Sequence, residues 1–184
     1  MKRTAIILFV LVSVFAFTSF RKATKPADDT TTVKWYTIEE AVALNKKEKR
    51  KIFMDVYTGW CGWCKVMDKN TFANPVIAAY MNKNYYPVKF DAESRDTINF
   101  NGQQFINDGP PGRGTHQFAG VVLQNRLSYP SFVFIDETLL NFTIMQGYQK
   151  PEEFEPYLHY YAENKQKTVQ YDEYVKTFKS ELPK

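Results

Sequence analysis

The chain's only two cysteines stand three apart, as Cys61-Gly62-Trp63-Cys64. A C-x-x-C pair admits three chemistries: a zinc half-site, a structural disulfide or a redox dithiol. Zinc needs further ligands at comparable local spacing, and the two histidines, His116 and His159, are distant and would have to converge. Covalent haem attachment needs a histidine directly after the second cysteine, where Lys65 stands. A disulfide across four residues restricts the unfolded chain by roughly 2 kcal/mol, against about 4.7 for a hundred-residue loop, so a stabilising staple would join distant segments. A redox dithiol asks for something different. Its first cysteine should sit at a helix N-terminus, where unpaired N–H groups and the positive dipole end stabilise a thiolate. Cys61 is at that end, and Cys64, one turn further in, is expected to be more buried and close enough to close the ring.

The flanking sequence supplies such a frame. Lys51-Ile-Phe-Met-Asp-Val-Tyr57 is a short apolar run ending near Gly59 and reads as a buried strand leading into the pair. Before it, Thr37 and Glu40 form a capping box for a helix through Ala41, Val42 and Leu44. After it come a helical stretch with Val66 and Met67, and a helix started by Asn74-Pro75. Tyr85–Asp91 is a second strand, and Asn101-Gly102 between apolar residues signals a hairpin. Asp108–Gly114 is too rich in Gly and Pro for regular structure, and Thr115 is expected to cap a helix carrying Phe118, Val121, Val122 and Leu123. Ser131–Ile135 and Phe142–Met145 read as strands and Pro151–Tyr161 as a helix. Tyr171, Tyr174, Val175, Phe178 and Leu182 recur at helical spacing in a last amphipathic helix. The order implies an α/β fold, a central mixed sheet flanked by helices on both faces.

Composition agrees. Of 184 residues, 44% are hydrophobic and 24% charged, with 15 Phe and 12 Tyr, enough for a core. The net charge of +4 is too weak to imply nucleic acid. Met1–Thr4 is basic, Ala5–Phe17 is apolar apart from Ser13, and a polar stretch follows from Arg21 to Pro26. Residues 1–20 therefore read as a signal peptide, with Ala16, Thr18 and Ser19 as rival cleavage points, or as a membrane anchor. Residues 21–33 read as a linker. The expected location is periplasmic or secreted, where disulfides persist.

At Trp60-Cys61-Gly62-Trp63-Cys64-Lys65 the sequence resembles the thioredoxin superfamily. Asp55, six residues before Cys61, matches the buried acid of that family. Tyr129-Pro130 before Ser131–Phe134 matches its cis-proline, and Gly147 the glycine after its last strand. The stretch Cys64–Pro75 looks closer to secreted thioredoxin-like proteins and to the C-terminal domain of DsbD. The sequence departs from the family pattern at Trp63 (usually proline or histidine) and at Lys69 (usually a kinking proline), and in the extra segment 97–114. The resemblance implies a thioredoxin-like domain over 34–165, with an inserted hairpin and helix before the cis-proline, and a C-terminal helical extension over 166–184.

The resemblance also implies roles. Cys61 attacks as the thiolate and Cys64 resolves the mixed disulfide. Asp55, if buried beneath them, accepts the Cys64 proton; otherwise it is a strand-end acid in water. Pro130, if cis, sets the backbone of Tyr129 against Cys61 to pair with substrate; otherwise it opens an edge strand in trans. Trp60, Gly62 and Trp63 complete the substrate face, with Trp63 either exposed to an apolar partner or folded over its helix. Lys89 can add positive potential near the site, but its register is open by two residues, so it is not counted among the site residues. His116 is expected at the surface of the insert, and His159 needs no function. No cofactor is implied beyond the redox-active Cys61–Cys64 disulfide, and no metal. Partners would be protein thiols and disulfides and an upstream thiol electron donor, for which a membrane-bound protein is one option. Gly62-Trp63 adds no charge, which suggests a reducing to intermediate potential. The expected function is an extracytoplasmic thiol–disulfide oxidoreductase, reductase- or isomerase-like. The alternatives are a binding or chaperone module with little redox role and a membrane-tethered electron relay.

Overall fold

The computed structural model describes residues 31–110, 112 and 114–183. The signal or anchor read at 1–20 and most of the linker read at 21–33 lie outside them. Thr32 and Val33, at the linker's end, are already attached to the domain. The Thr32 carbonyl accepts from Asn82 Nδ2 at 2.8 Å, and Val33 packs on the core.

In chain order the elements are α1 (Ile38–Lys47), β1 (Lys51–Tyr57), α2 (Gly62–Met67), a π turn (Asp68–Phe72), α3 (Pro75–Asn84), β2 (Tyr85–Asp91), β3 (Ile98–Phe100) and β4 (Gln103–Phe105). Then follow α4 (Gln117–Val122), β5 (Ser131–Ile135), β6 (Phe142–Gln146), α5 (Pro151–Ala162), a 3₁₀ turn (Lys165–Lys167) and α6 (Tyr171–Thr177). The main sheet runs β2-β1-β5-β6, with β1 and β2 parallel and β5 antiparallel to both β1 and β6. β3 and β4 form a separate hairpin turning on Asn101 and Gly102, both left-handed (φ 49 and 78).

Central β1 is buried on both faces, so its alternating side chains serve two cores. Ile52, Met54 and Val56 meet Ile38 and Ala41 of α1, Phe118 and Val122 of α4, and the hairpin's Phe100 and Phe105. Phe53 points the other way into an aromatic cluster, its ring 5.4 to 6.3 Å from those of Phe72, Tyr85, Phe132, Phe134 and Phe154. Met67, Ile77, Met81 and Leu158 close that side. Two residues after Phe53, Asp55 shares this face, beneath α2.

Helix starts follow side-chain chemistry. Thr37 and Glu40 make the expected capping box, and Asn74 Oδ1 accepts from Val76 and Ile77 with Pro75 at the first position. α4 is a correction: His116, not Thr115, is its cap. Nδ1 of His116 accepts from the Phe118 N–H at 3.0 Å, and the residue is fully buried rather than at the surface, with Nε2 2.8 Å from the Asp96 carbonyl. Of the apolar residues read on this helix, Phe118, Val122 and Leu123 are buried and Val121 is exposed. The last helix is also shorter than its apolar spacing suggests. It stops at Thr177, and the tail beyond is held by buried Glu155, which accepts from Ser180 Oγ and the Glu181 N–H. The extension packs through Tyr171, stacked on Tyr157 at 4.0 Å.

The insert has a defined internal frame. Asn107 Nδ2 donates toward the carbonyls of Glu93, Ser94 and Gly114, and the Arg95 guanidinium donates to those of Asn107, Gly109 and Pro110. Gly109 and Gly114 pack so closely that a Cβ on Gly109 would sit 2.5 Å from the Gly114 Cα.

Candidate functional site

β1 delivers the cysteines. After Tyr57 the chain turns, the Thr58 carbonyl accepting from the Cys61 N–H at 3.1 Å, and Cys61 becomes the N-cap of α2 with extended backbone. Its Sγ accepts from the Cys64 N–H at 3.0 Å. Cys61 and Cys64 are disulfide-bonded, Cα atoms 5.3 Å apart. Both cysteines are buried, Cys61 at 4% and Cys64 at 3% exposure, so the expected difference in depth is slight.

Two tryptophans flank the disulfide and are the most exposed aromatics near it, Trp60 at 67% and Trp63 at 62%. Trp60 is held from below, its Nε1 donating to Glu93 Oε1 at 3.0 Å and its ring edge-on to Tyr129 at 5.9 Å. The Trp63 ring leans on Tyr148 at 5.3 Å. Thus Trp63 is exposed and also backed by a neighbour. Gly62 opens α2 with free space where a side chain would stand.

The Tyr129–Pro130 bond is cis, and β5 begins at the next residue, with Ser131 opposite Val56 of β1. The Pro130 carbonyl accepts from the Gly147 N–H at 2.9 Å, and Gly147 has φ +90, a conformation costly for other residues. The Tyr129 hydroxyl is buried, and burial, then Glu93 and Asp91, push its pKa up.

Asp55 is buried, at 1% exposure, not a strand-end acid in water. Its Oδ2 lies 2.6 Å from Lys89 Nζ, which also contacts Asp68 Oδ1. Burial pushes the Asp55 carboxyl up to about 6, against the pull of Lys89. Burial also opposes the charge on Lys89, but Asp55 and Asp68 outweigh it and hold its pKa above the usual value. The ammonium lies 5.0 to 5.3 Å from the rings of Trp35, Tyr57 and Phe72, which adds cation–π attraction. Asp55 Oδ1, Thr58 Oγ1 and Tyr129 OH are buried without a hydrogen-bond partner among the described residues.

Cys61, Cys64, Trp60, Gly62, Trp63, Tyr129, Pro130 and Asp55 thus gather at the C-terminal ends of β1 and β2. Sequence reading left out Lys89, Asp68, Glu93 and Tyr148. For Lys89 a signal existed: apolar Val88 and Phe90 on either side turn it to the opposite face, the face of Asp55.

Comparison with known proteins agrees with this picture. The family model Thioredox_DsbH, described as "Protein of unknown function, DUF255", matches residues 25–109. Spermatogenesis-associated protein 20 of Rattus norvegicus is 32% identical over 83 residues, 45% of this chain and 10% of that protein. Thiol:disulfide interchange protein DsbD of Vibrio vulnificus is 35% identical over 46 residues, 25% of this chain and 8% of that protein. The chain thus spans about a tenth of the length of these relatives. Among solved structures, "DsbH Oxidoreductase" superposes with a TM-score of 0.52 at 16% identity, over 79% of this chain and 95% of that one. A thioredoxin-fold protein from Helicobacter pylori gives 0.55 at 14% identity, over 70% and 83%. A thioredoxin from Thermus thermophilus gives 0.51 at 18%, over 70% and 85%. With its β2-β1-β5-β6 sheet, its disulfide opening the helix after β1 and these shared architectures, the chain is a thioredoxin-fold protein.

Proposed function

We propose that this chain is an extracytoplasmic thiol–disulfide oxidoreductase acting on protein substrates as a reductase or isomerase. The observation that carries the reading is Cys61 Sγ serving as the acceptor cap of α2 while bonded to Cys64. A sulfur that receives a backbone N–H at a helix start is a sulfur whose anion is stabilised. A segment similar to a protein named for thiol:disulfide interchange supports the chemistry, and the signal-like layout of residues 1–26 supports the periplasmic or secreted location.

In the reduced protein the Cys61 thiolate attacks one sulfur of a substrate disulfide, and the other substrate sulfur leaves as a thiolate. Cys64 loses its proton to the Asp55 carboxylate and attacks Cys61 Sγ. The second substrate thiolate departs and the Cys61–Cys64 disulfide closes. Two electrons have passed to the substrate, and an upstream dithiol must return two to reopen the pair. Lys89 holds Asp55 ionised against burial, so the carboxyl is poised to take a proton near neutrality. Trp60, Trp63 and the Tyr129–Pro130 segment border the disulfide, where a substrate chain would lie.

The test is reduction of insulin disulfides by the full chain. Cys61→Ser should abolish turnover, and Cys64→Ser should accumulate a mixed disulfide at Cys61. Unchanged turnover in Cys61→Ser would refute the assignment and favour a binding module.

A further inference from the structure

One ammonium serves two carboxylates beneath the cysteines. Lys89 Nζ lies 2.6 Å from Asp55 Oδ2 and also contacts Asp68 Oδ1. Among the described residues neither acid has a second cation within 4 Å. The two acids differ in what else surrounds them. The Asp55 side chain is 2% exposed and that of Asp68 45%. A cavity of about 290 Å³, bordered by Val33, Trp35, Asp68, Phe72, Ala73 and Lys89, opens on the Asp68 side. Water therefore hydrates the Asp68 charge, whereas Asp55 Oδ1 is buried without a hydrogen-bond partner among the described residues.

Asp68 is placed by the helix that carries the cysteines. Its N–H donates to the Cys64 and Lys65 carbonyls at the end of α2, and its backbone is helical, with φ −57 and ψ −46. A proline at position 69 would disfavour that backbone; Lys69 stands there, and the chain continues into the π turn. The remaining neighbours of Asp55 leave the charge balance to these three groups. α2 brings Cys61 and Cys64, joined as a disulfide, and β5 sets uncharged Phe132 opposite Asp55. Tyr57, two residues on, is a phenol whose pKa burial holds above its usual value.

Two ionised carboxylates against one ammonium leave a surplus negative charge, which disfavours joint ionisation. The proton that relieves it goes to the acid that water does not reach. We propose that Asp68 is a positioning residue for Asp55: it takes a share of the Lys89 ammonium and so keeps the buried carboxylate basic enough to accept the Cys64 proton. The proposal deepens the redox reading of Cys61–Cys64 and rests on it. With Lys89 undivided, Asp55 would be the weaker base. The electrostatics run the same way: burial and the Asp68 charge raise the Asp55 carboxyl, while Lys89 lowers it.

The test is an NMR titration of the full oxidised chain with isotope-labelled aspartate carboxyls, Asp55 being assigned by its loss in Asp55→Asn. Asp68→Asn should lower the Asp55 midpoint by about one pH unit. Asp68→Ser, which also removes the charge, should lower it equally, and Asp68→Glu should leave it near the parent's. In a Lys89→Met background the shift caused by Asp68→Asn should fall below about half of that, because the shared cation is gone. In the reduced protein the acid limb of insulin reduction should move down with the midpoint. An unmoved or raised midpoint, an equal shift with and without Lys89, or a limb that stays while the midpoint moves would overturn the proposal. The titration needs no turnover, so it judges Asp68 apart from the redox reading, which fails instead if Cys61→Ser still reduces insulin.

Discussion

Lys89 stands directly opposite Asp55 in the parallel β1–β2 ladder, and its ammonium meets the carboxylate at 2.6 Å under the active helix. This one register position puts a counterion on the buried acid beneath the cysteines. It also determines how the site should respond to pH.

Asp55 should make the protein less stable as pH rises. Its carboxyl titrates near 6 when folded and near 3.8 when unfolded, so the folded state binds the extra proton between those values. The contribution is fully present below 3.8 and is lost as pH passes through 6. Asp55→Asn removes this dependence. Urea unfolding should show the variant gaining on the parent by about 2 kcal/mol between pH 4 and pH 8. A gap that does not change with pH would contradict the burial-driven shift.

Lys89→Met leaves Asp55 with burial and the Asp68 charge and no compensating cation. Its carboxyl should move further up, by about one pH unit. The acid limb of the pH–rate profile for insulin reduction should shift upward by the same amount. An unmoved limb would remove Asp55 from the proton path.

Much of this arrangement was legible in the residues. Cys61 and Cys64 followed an apolar run short enough to be a strand, and that junction alone placed the pair at a helix start. Tyr129-Pro130 ahead of Ser131–Ile135 was equally readable. Lys89 is legible only in part: its alternation with Val88 and Phe90 gives its face, but its position opposite Asp55 depends on parallel pairing set by the intervening α2, π turn and α3, which leaves no local mark on the register. The cap at His116 is not legible because Ser and Thr usually cap helices, whereas here an imidazole nitrogen does the accepting. The Asp68–Phe72 widening has no composition signature. The apolar spacing through Phe178 and Leu182 ran on, but the tail hydrogen bonds to Glu155 prevailed over continued helix.

Phe53→Ala should be the most costly single truncation of the aromatic core. The side chain is fully buried and touches five other rings. Chemical denaturation should show a loss of about 3–5 kcal/mol. A loss below about 1 kcal/mol would mean that the cluster collapses around the gap.

Gly114→Ala should disturb the insert while sparing the cysteines. The added Cβ would fall onto Asn107 Oδ1 and within 2.9 Å of the Gly109 Cα, where backbone cannot yield cheaply. Hydrogen exchange should quicken at residues 93–96 and 107–117, with insulin reduction within about twofold of the parent. Loss of reduction would tie the insert to the chemistry itself.

The central claim is that Cys61–Cys64 is a working redox couple, and its reduction potential tests that most directly. Equilibration in glutathione or dithiothreitol buffers with thiol trapping should give a value between about −270 and −180 mV, the span from thioredoxin to protein disulfide isomerase. A value below about −300 mV would mark a structural disulfide and contradict the account. A value near −120 mV would make the pair an oxidant and contradict its reductase or isomerase reading.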